Sequence, residues 1–345
     1  MNQKKKIAIL GAGGWGTALA ALVGRKGLEV NLWARRPEFA EELGRVRENR
    51  RYLPGVYLAE AVGLTSGMEE VLDDAGTVIF AVPSHGMRQV ANMARPFWPP
   101  SAVAVSATKG LEEGTWARMS RVLREVLGDI PIGVLSGPNH AEEVGRGLPA
   151  AAVVAAAESE LAFYLQGIFA EGNLRVYTNP DVVGVELGGS LKNVVALAAG
   201  MAEGLGLGDN AKAALLTRGL AEMARLGVAL GAREATFYGL SGLGDLVVTC
   251  ASAHSRNRRA GVELGQGRSL TEITGGTPMV IEGVRTAKAA AVLARDARVQ
   301  MPVGEVVWRV LFGGLSPVQG VSALMGRPLT DEVGQFQGTD ARTGA

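Results

Sequence analysis

Gly11-Ala12-Gly13-Gly14-Trp15-Gly16 follows the apolar run IAIL directly and leads into GTALAALVGRKG, where apolar residues recur at helical spacing. The pattern G-x-G-x-x-G is weak alone. A strand before it, a helix after it and a second β-branched run, EVNLW, within the expected span confine this stretch to a βαβ unit that cradles a dinucleotide. Gly11 permits the tight turn, Gly13 lets the backbone approach a pyrophosphate, and Gly16 lets the helix pack on the strand. The helix N-terminus then faces the negative charge.

The alternation continues through TVIFAV, AVAVSAT, IGVLSGP and AAVVAA, with longer amphipathic segments between them. This βαβα rhythm predicts a parallel, doubly wound α/β sheet of the Rossmann-like kind over residues 1–180. Asn179-Pro180-Asp181 is a turn signal that also places Pro180 at the first position of the next helix. Beyond it, segments from Asp181, Ala211, Ser255, Val284 and Val303 read as helices, with glycine-rich joints GLGLGD and SGLGD. Residues 181–330 are expected to form an all-α domain, and residues 331–345, lacking apolar periodicity, a flexible tail.

A chain of 345 residues suits two domains, and 35 basic against 34 acidic side chains give no reason to expect nucleic acid or a membrane surface. Cys250 stands alone, so no intrachain disulfide forms; a reducing, cytoplasmic setting and a small buried side chain are the natural readings. Lys4-Lys5-Lys6 before an apolar run resembles the start of a secretory signal, but the glycines that follow interrupt the run. Leu148–Ala157 is too short for a bilayer, which needs about 20 residues, so no membrane span is expected. His85, His140 and His254 are scattered and no cysteine cluster joins them, so no metal is expected.

Where an acid would hold the ribose hydroxyls of NAD, the second strand ends in Trp33-Ala34-Arg35-Arg36. Two guanidinium groups and no carboxylate suit a 2′-phosphate and favour NADPH, with NADH as the alternative donor. Lys192 lies among Gly188, Gly189, Val195 and Ala196 on one helical face, and each interior glycine costs about 1 kcal/mol relative to alanine. Such a turn implies that another helix or a ligand comes close. ASAHSRNRRAG places Ser255, Arg256 and Asn257 at a helix start, an arrangement equally suited to an anion site or to a solvated basic face. Asp245 occupies a glycine-rich turn, as a cap or a site acid. Lys109 follows the fifth strand, at the sheet edge where open α/β folds bind ligands.

Together, GAGGWGTALA, SATKG, SGPNHAEE, VELGGSLKNVVALAAG, LSGLGDLVVT, HSRNRR and IEGVRTA, in that order between about residues 6 and 330, resemble the bacterial NAD(P)-dependent glycerol-3-phosphate dehydrogenases. The resemblance implies a C-terminal domain of the 6-phosphogluconate-dehydrogenase kind. It implies Lys192 as the catalytic lysine, with Asp245, Ser255, Arg256 and Asn257 around the substrate and Lys109, Gly137 and Asn139 completing its site. It puts Gly14, Trp15, Arg35, Arg36, Lys109, Ala141, Arg256, Val280 and Glu282 near the cofactor. Many members carry serine where Gly14 stands, and serine or threonine where Asn139 stands.

The implied reaction is reversible reduction of dihydroxyacetone phosphate to sn-glycerol 3-phosphate for glycerophospholipid synthesis. Lys192 would supply a proton and positive charge, its glycines would keep the helix open to substrate, and Asp245 would orient the amine or the substrate hydroxyl. A homodimer is compatible with the resemblance. A β-hydroxy-acid or ketopantoate-type dehydrogenase shares this plan but has no need of HSRNRR. A non-catalytic dinucleotide sensor has no need of Lys192.

Overall fold

The computed structural model describes residues 6–276, 280–329 and 332. Eight strands form one sheet in the order β3-β2-β1-β4-β5-β6-β7-β8. They are β1 Lys6–Leu10, β2 Val30–Trp33, β3 Val62–Thr65, β4 Ala75–Phe80, β5 Val103–Ser106, β6 Ile132–Ser136, β7 Ala150–Ala155 and β8 Leu174–Asn179. The helices woven between them are α1 Gly14–Arg25, α2 Pro37–Val46, α3 Met68–Leu72, α4 Met87–Ala94, α5 Met119–Leu127, α6 Ala141–Gly145 and α7 Ser159–Phe169.

Period-two alternation carries β1 into two cores at once. Ile7 and Ile9 pack with α1 on one face, and Ala8 and Leu10 pack with α4 and α5 on the other. A strand buried on both faces reads as the continuous apolar run seen in the sequence. Strand order reverses between β1 and β4, so the loops after these strands open a crevice at the carboxyl edge.

The sheet departs from the expected all-parallel form at one place, since β7 runs antiparallel to β6. The link between them holds only the five-residue α6, and such a connection does not carry the chain back along the sheet as a parallel crossover must. Two strands, β3 and β8, fall outside the apolar runs that the sequence marks as strands. The tail 331–345 falls almost wholly outside the described residues.

The helical part comprises α8 Val182–Gly204, α9 Gly208–Ala229, α10 Glu234–Phe237, α11 Asp245–Ala251, α12 Arg256–Gly265, α13 Leu270–Gly275, α14 Glu282–Asp296, α15 Pro302–Phe312 and α16 Pro317–Met325. Pro180 is not the first residue of α8. Asp181 caps the helix by accepting the Gly184 N–H at 2.8 Å, which leaves Pro180 outside. SGLGD is no simple joint either: Leu240–Gly244 forms a π-helical turn that runs straight into α11.

α8 is long and apolar enough to cross a membrane, but it is buried within the fold as the axis of the helical core. α12 crosses it with glycine packed against glycine. A Cβ on Gly200 would lie 2.9 Å from the Gly261 Cα, and one on Gly204 3.1 Å from the Gly265 Cα. The reverse holds for Gly261 and Gly265, at 2.9 and 3.0 Å.

Candidate active site

The glycine loop behaves as its pattern demands. Gly11 has φ +116°, and a Cβ there would lie 2.8 Å from the Ala81 carbonyl; one on Gly16 would run into the Gly11 carbonyl. Gly13, the N-cap of α1, has open space around it, and no side chain caps that helix. Its first N–H groups therefore face a cradle that fits a pyrophosphate. Buried Asn49, which no motif in the sequence singles out, donates to the Ala12 carbonyl at 3.1 Å and to Thr17 Oγ1 at 2.7 Å, pinning the loop.

A Cβ on Gly14 would lie 2.8 Å from the Tyr52 carbonyl, so a serine there requires the Tyr52 segment to move. Trp15 and Ala141 are half-buried and pack on the same core. Arg35 and Arg36 are exposed beyond β2, and the Arg36 guanidinium lies 5.6 Å over the Phe39 ring.

Lys192 and Asp245 meet in the interior, where each is almost wholly buried. Lys192 Nζ donates to Asp245 Oδ1 and, at 2.7 Å, to Thr249 Oγ1. An ammonium group has three hydrogens, so one remains free. Burial pushes the Lys192 ammonium down to about 8; Asp245 opposes this and the Lys109 charge adds to it. Burial alone would raise the Asp245 carboxyl, but Lys109 and Lys192 outweigh it and hold it below its ordinary value.

Lys109 makes two hydrogen bonds and one ion pair. Its Nζ donates to the Gly137 carbonyl and Asn139 Oδ1, both at 2.8 Å, and lies 2.9 Å from Asp245 Oδ2. Asn139 in turn donates to the Ser136 carbonyl at 3.2 Å. Gly137 has φ +112°, and a Cβ on it would press on Ala152 of β7 at 3.1 Å. The glycines beside Lys192 serve protein contacts rather than an opening for ligand. A Cβ on Gly188 would lie 2.8 Å from the Ser241 carbonyl, and one on Gly189 2.6 Å from Ser136 Oγ.

At the start of α12, Ser255 is the N-cap and accepts the Arg258 N–H. Asn257 donates to Asn193 Oδ1 at 2.8 Å and accepts the Gly283 N–H at 2.9 Å, tying α8, α12 and α14 together. Among the described residues Arg256 makes one hydrogen bond, to the Val280 carbonyl at 3.1 Å. Arg258 is bound to Glu203 of α8, whereas Arg259 is exposed.

Glu282 reaches across to the sheet, where it accepts the Ser84 N–H at 3.1 Å and the Ser84 hydroxyl at 2.7 Å. Thr249, Ser84 and Asn193 lie outside the residues to which the sequence points. Of these only Thr249 leaves a signal, four residues after Asp245 and so on the same helical face. Among the described residues no group of histidine, cysteine and carboxylate side chains could hold a metal. Cys250 is buried, which pushes its thiol up to about 12.

The geometry joins a dinucleotide cradle, a lysine with one free hydrogen and an exposed guanidinium at one crevice. Known proteins of similar sequence and shape fit this combination. The N-terminal part of the NAD-dependent glycerol-3-phosphate dehydrogenases matches residues 6–162, and the C-terminal part residues 181–322. The glycerol-3-phosphate dehydrogenase (NAD(P)+) of Moorella thermoacetica is 55% identical over 330 residues, covering 96% of this chain and 98% of that one. Its counterpart in Pelotomaculum thermopropionicum is 53% identical, covering 95% of each. The crystal structure of glycerol-3-phosphate dehydrogenase from Coxiella burnetii superposes with a TM-score of 0.90 at 39% identity, covering 94% of this chain and 99% of that one. The chain belongs to the NAD-dependent glycerol-3-phosphate dehydrogenase family.

Proposed function

We propose that this chain catalyses the NAD(P)H-dependent, reversible reduction of dihydroxyacetone phosphate to sn-glycerol 3-phosphate, the backbone of glycerophospholipids. The observation that carries this reading is the single uncommitted hydrogen of Lys192, whose buried ammonium is held by Asp245 and Thr249.

The bound dihydronicotinamide supplies the hydride that reaches the substrate carbonyl carbon. Lys192 donates its free hydrogen to the carbonyl oxygen as negative charge develops there, and its own positive charge stabilises that oxygen until the proton has moved. Asp245 orients the ammonium and sustains its charge against burial. Lys109, spent on Gly137, Asn139 and Asp245, positions the carboxylate rather than touching substrate. In the reverse direction neutral Lys192 takes the proton from the C2 hydroxyl.

The substrate phosphate is taken at the N-terminus of α12 by Arg256, with the Ser255 hydroxyl and the remaining amide hydrogen of Asn257 beside it. The α1 N-terminus receives the pyrophosphate, with Gly14, Trp15, Ala141, Val280 and Glu282 around the dinucleotide. Arg35 and Arg36 select NADPH. Residues 1–180 bind the dinucleotide and residues 181–330 the substrate. The setting is cytoplasmic, and assembly as a homodimer belongs to the same reading. Absorbance loss of NADPH on adding dihydroxyacetone phosphate tests the assignment, and an enzyme that leaves NADPH unoxidised overturns it. Sedimentation velocity tests the dimer.

A further inference from the structure

Around the Lys192–Asp245 pair, most polar atoms are committed within the protein. Lys109 donates to the Gly137 carbonyl and the Asn139 carbonyl oxygen, and one Asn139 amide hydrogen is used; Asp245 Oδ2 accepts no hydrogen bond but is faced by the Lys109 charge at 2.9 Å. Ser136 Oγ has no partner but is sealed against α8 at Gly189. His140 Nε2 is different: it is shielded from solvent, makes no hydrogen bond, and belongs to a half-buried ring in the turn that carries Gly137 and Asn139. The His254 ring, one residue before Ser255, stands 6.3 Å away centre to centre. His140 therefore sits between the catalytic cluster and the anion site.

A buried polar atom left unpartnered costs free energy, so such an atom beside a substrate site marks a contact completed by the ligand. Burial, then the charges of Lys192 and Lys109, lower the His140 pKa below its ordinary value. The ring is thus neutral at physiological pH and offers a lone pair rather than a second positive charge.

A three-carbon substrate has three oxygen functions. The phosphate goes to Arg256 and the carbonyl oxygen to Lys192, which leaves the C1 hydroxyl without an acceptor. We propose that His140 Nε2 accepts the hydrogen bond of that hydroxyl and so makes the site select a hydroxyketone phosphate over the corresponding methyl ketone. The inference rests on the reaction proposed above and adds the residue that reads the end of the substrate opposite the phosphate.

The test compares kcat/KM for dihydroxyacetone phosphate with that for hydroxyacetone phosphate, which lacks the C1 hydroxyl, in the wild type, His140→Phe and His140→Gln. A single neutral hydrogen bond corresponds to a preference of about 10-fold. That preference is expected to collapse in His140→Phe and to survive largely in His140→Gln, whose amide oxygen reaches to the same place. An active wild type whose preference is unchanged in His140→Phe overturns the contact alone, whereas a wild type inactive on dihydroxyacetone phosphate overturns the reaction and the contact with it.

A measurement on the wild type needs no variant to fold. With only three histidines in the chain, the ring nitrogens can be followed by NMR as sn-glycerol 3-phosphate is added. A change at His140 Nε2 is expected, and its absence at saturating ligand overturns the proposal.

Discussion

Lys109 Nζ stands 2.9 Å from Asp245 Oδ2, on the carboxylate oxygen opposite the one that Lys192 holds. One buried carboxylate thus separates two cations, one pairing with its Oδ2 and the other bonded to its Oδ1 with a hydrogen to give. Since the Lys109 charge helps to lower the Lys192 pKa, Lys109→Met is expected to raise it above about 8. The pH–rate step for reduction should then move to higher pH. Loss of the pin on Asp245 should also lower kcat by about 10–100-fold. A step that stays in place or moves down contradicts this account.

On the proposed mechanism, reduction needs the Lys192 ammonium and oxidation the free amine. Reduction should fall as pH rises through about 8, while glycerol 3-phosphate oxidation rises over the same interval. Lys192→Ala should lose about 10²–10⁴-fold in kcat and lose the pH step, with NADPH affinity nearly intact. Stopped-flow turnover and fluorescence titration of NADPH separate the two effects. A variant keeping more than half the wild-type kcat removes Lys192 from the chemistry.

Arg35 and Arg36 are exposed where the second strand ends, with no acid in that slot. Replacing Arg35 by Asp and Arg36 by Ala should shift preference from NADPH toward NADH, because the 2′-phosphate then meets a carboxylate instead of two guanidinium groups. The ratio of kcat/KM for the two cofactors reads this directly, and an unchanged ratio refutes it.

Arg256→Ala should lower kcat/KM for dihydroxyacetone phosphate by about 10–150-fold for each charge-assisted hydrogen bond that the guanidinium makes to the phosphate, and raise the KM for NADPH detectably. Arg259→Ala is the control, since that side chain lies three residues further along α12 and, among the described residues, makes no hydrogen bond to the Val280 segment that Arg256 reaches. Equal behaviour of the two variants would reduce HSRNRR to a solvated basic face.

The sequence made the glycine loop and Lys192 legible for a shared reason: each sits where a side-chain pattern conflicts with local propensity. Glycines inside a helix and a lysine among aliphatic residues have to be explained by something outside the segment. The identity of that something was not legible. Gly188 and Gly189 admit Ser241 and Ser136, which come from segments roughly 50 residues away in either direction. The Glu282–Ser84 bond likewise joins residues 198 apart. The reversal of β7 also escaped, because an apolar run shows that a strand is buried but not whether it pairs parallel or antiparallel. Asn257 looks like a free amide at a helix start, yet its partners Asn193 and Gly283 occupy most of it.

The glycine crossing of α8 and α12 has a consequence for substrate length. Lys192 rides on one helix and Arg256 opens the other, and the two main chains touch at Gly200, Gly204, Gly261 and Gly265. At these four glycines no side chain lies between the helices, so the spacing of the two backbones there is set by main chain on main chain. With Lys192 on the carbonyl and Arg256 on the phosphate, as proposed, the pair forms a calliper for the distance between the two. Widening it for a phosphoketone one carbon longer requires re-seating a whole helix, which places chain-length selection at four residues that never meet the substrate.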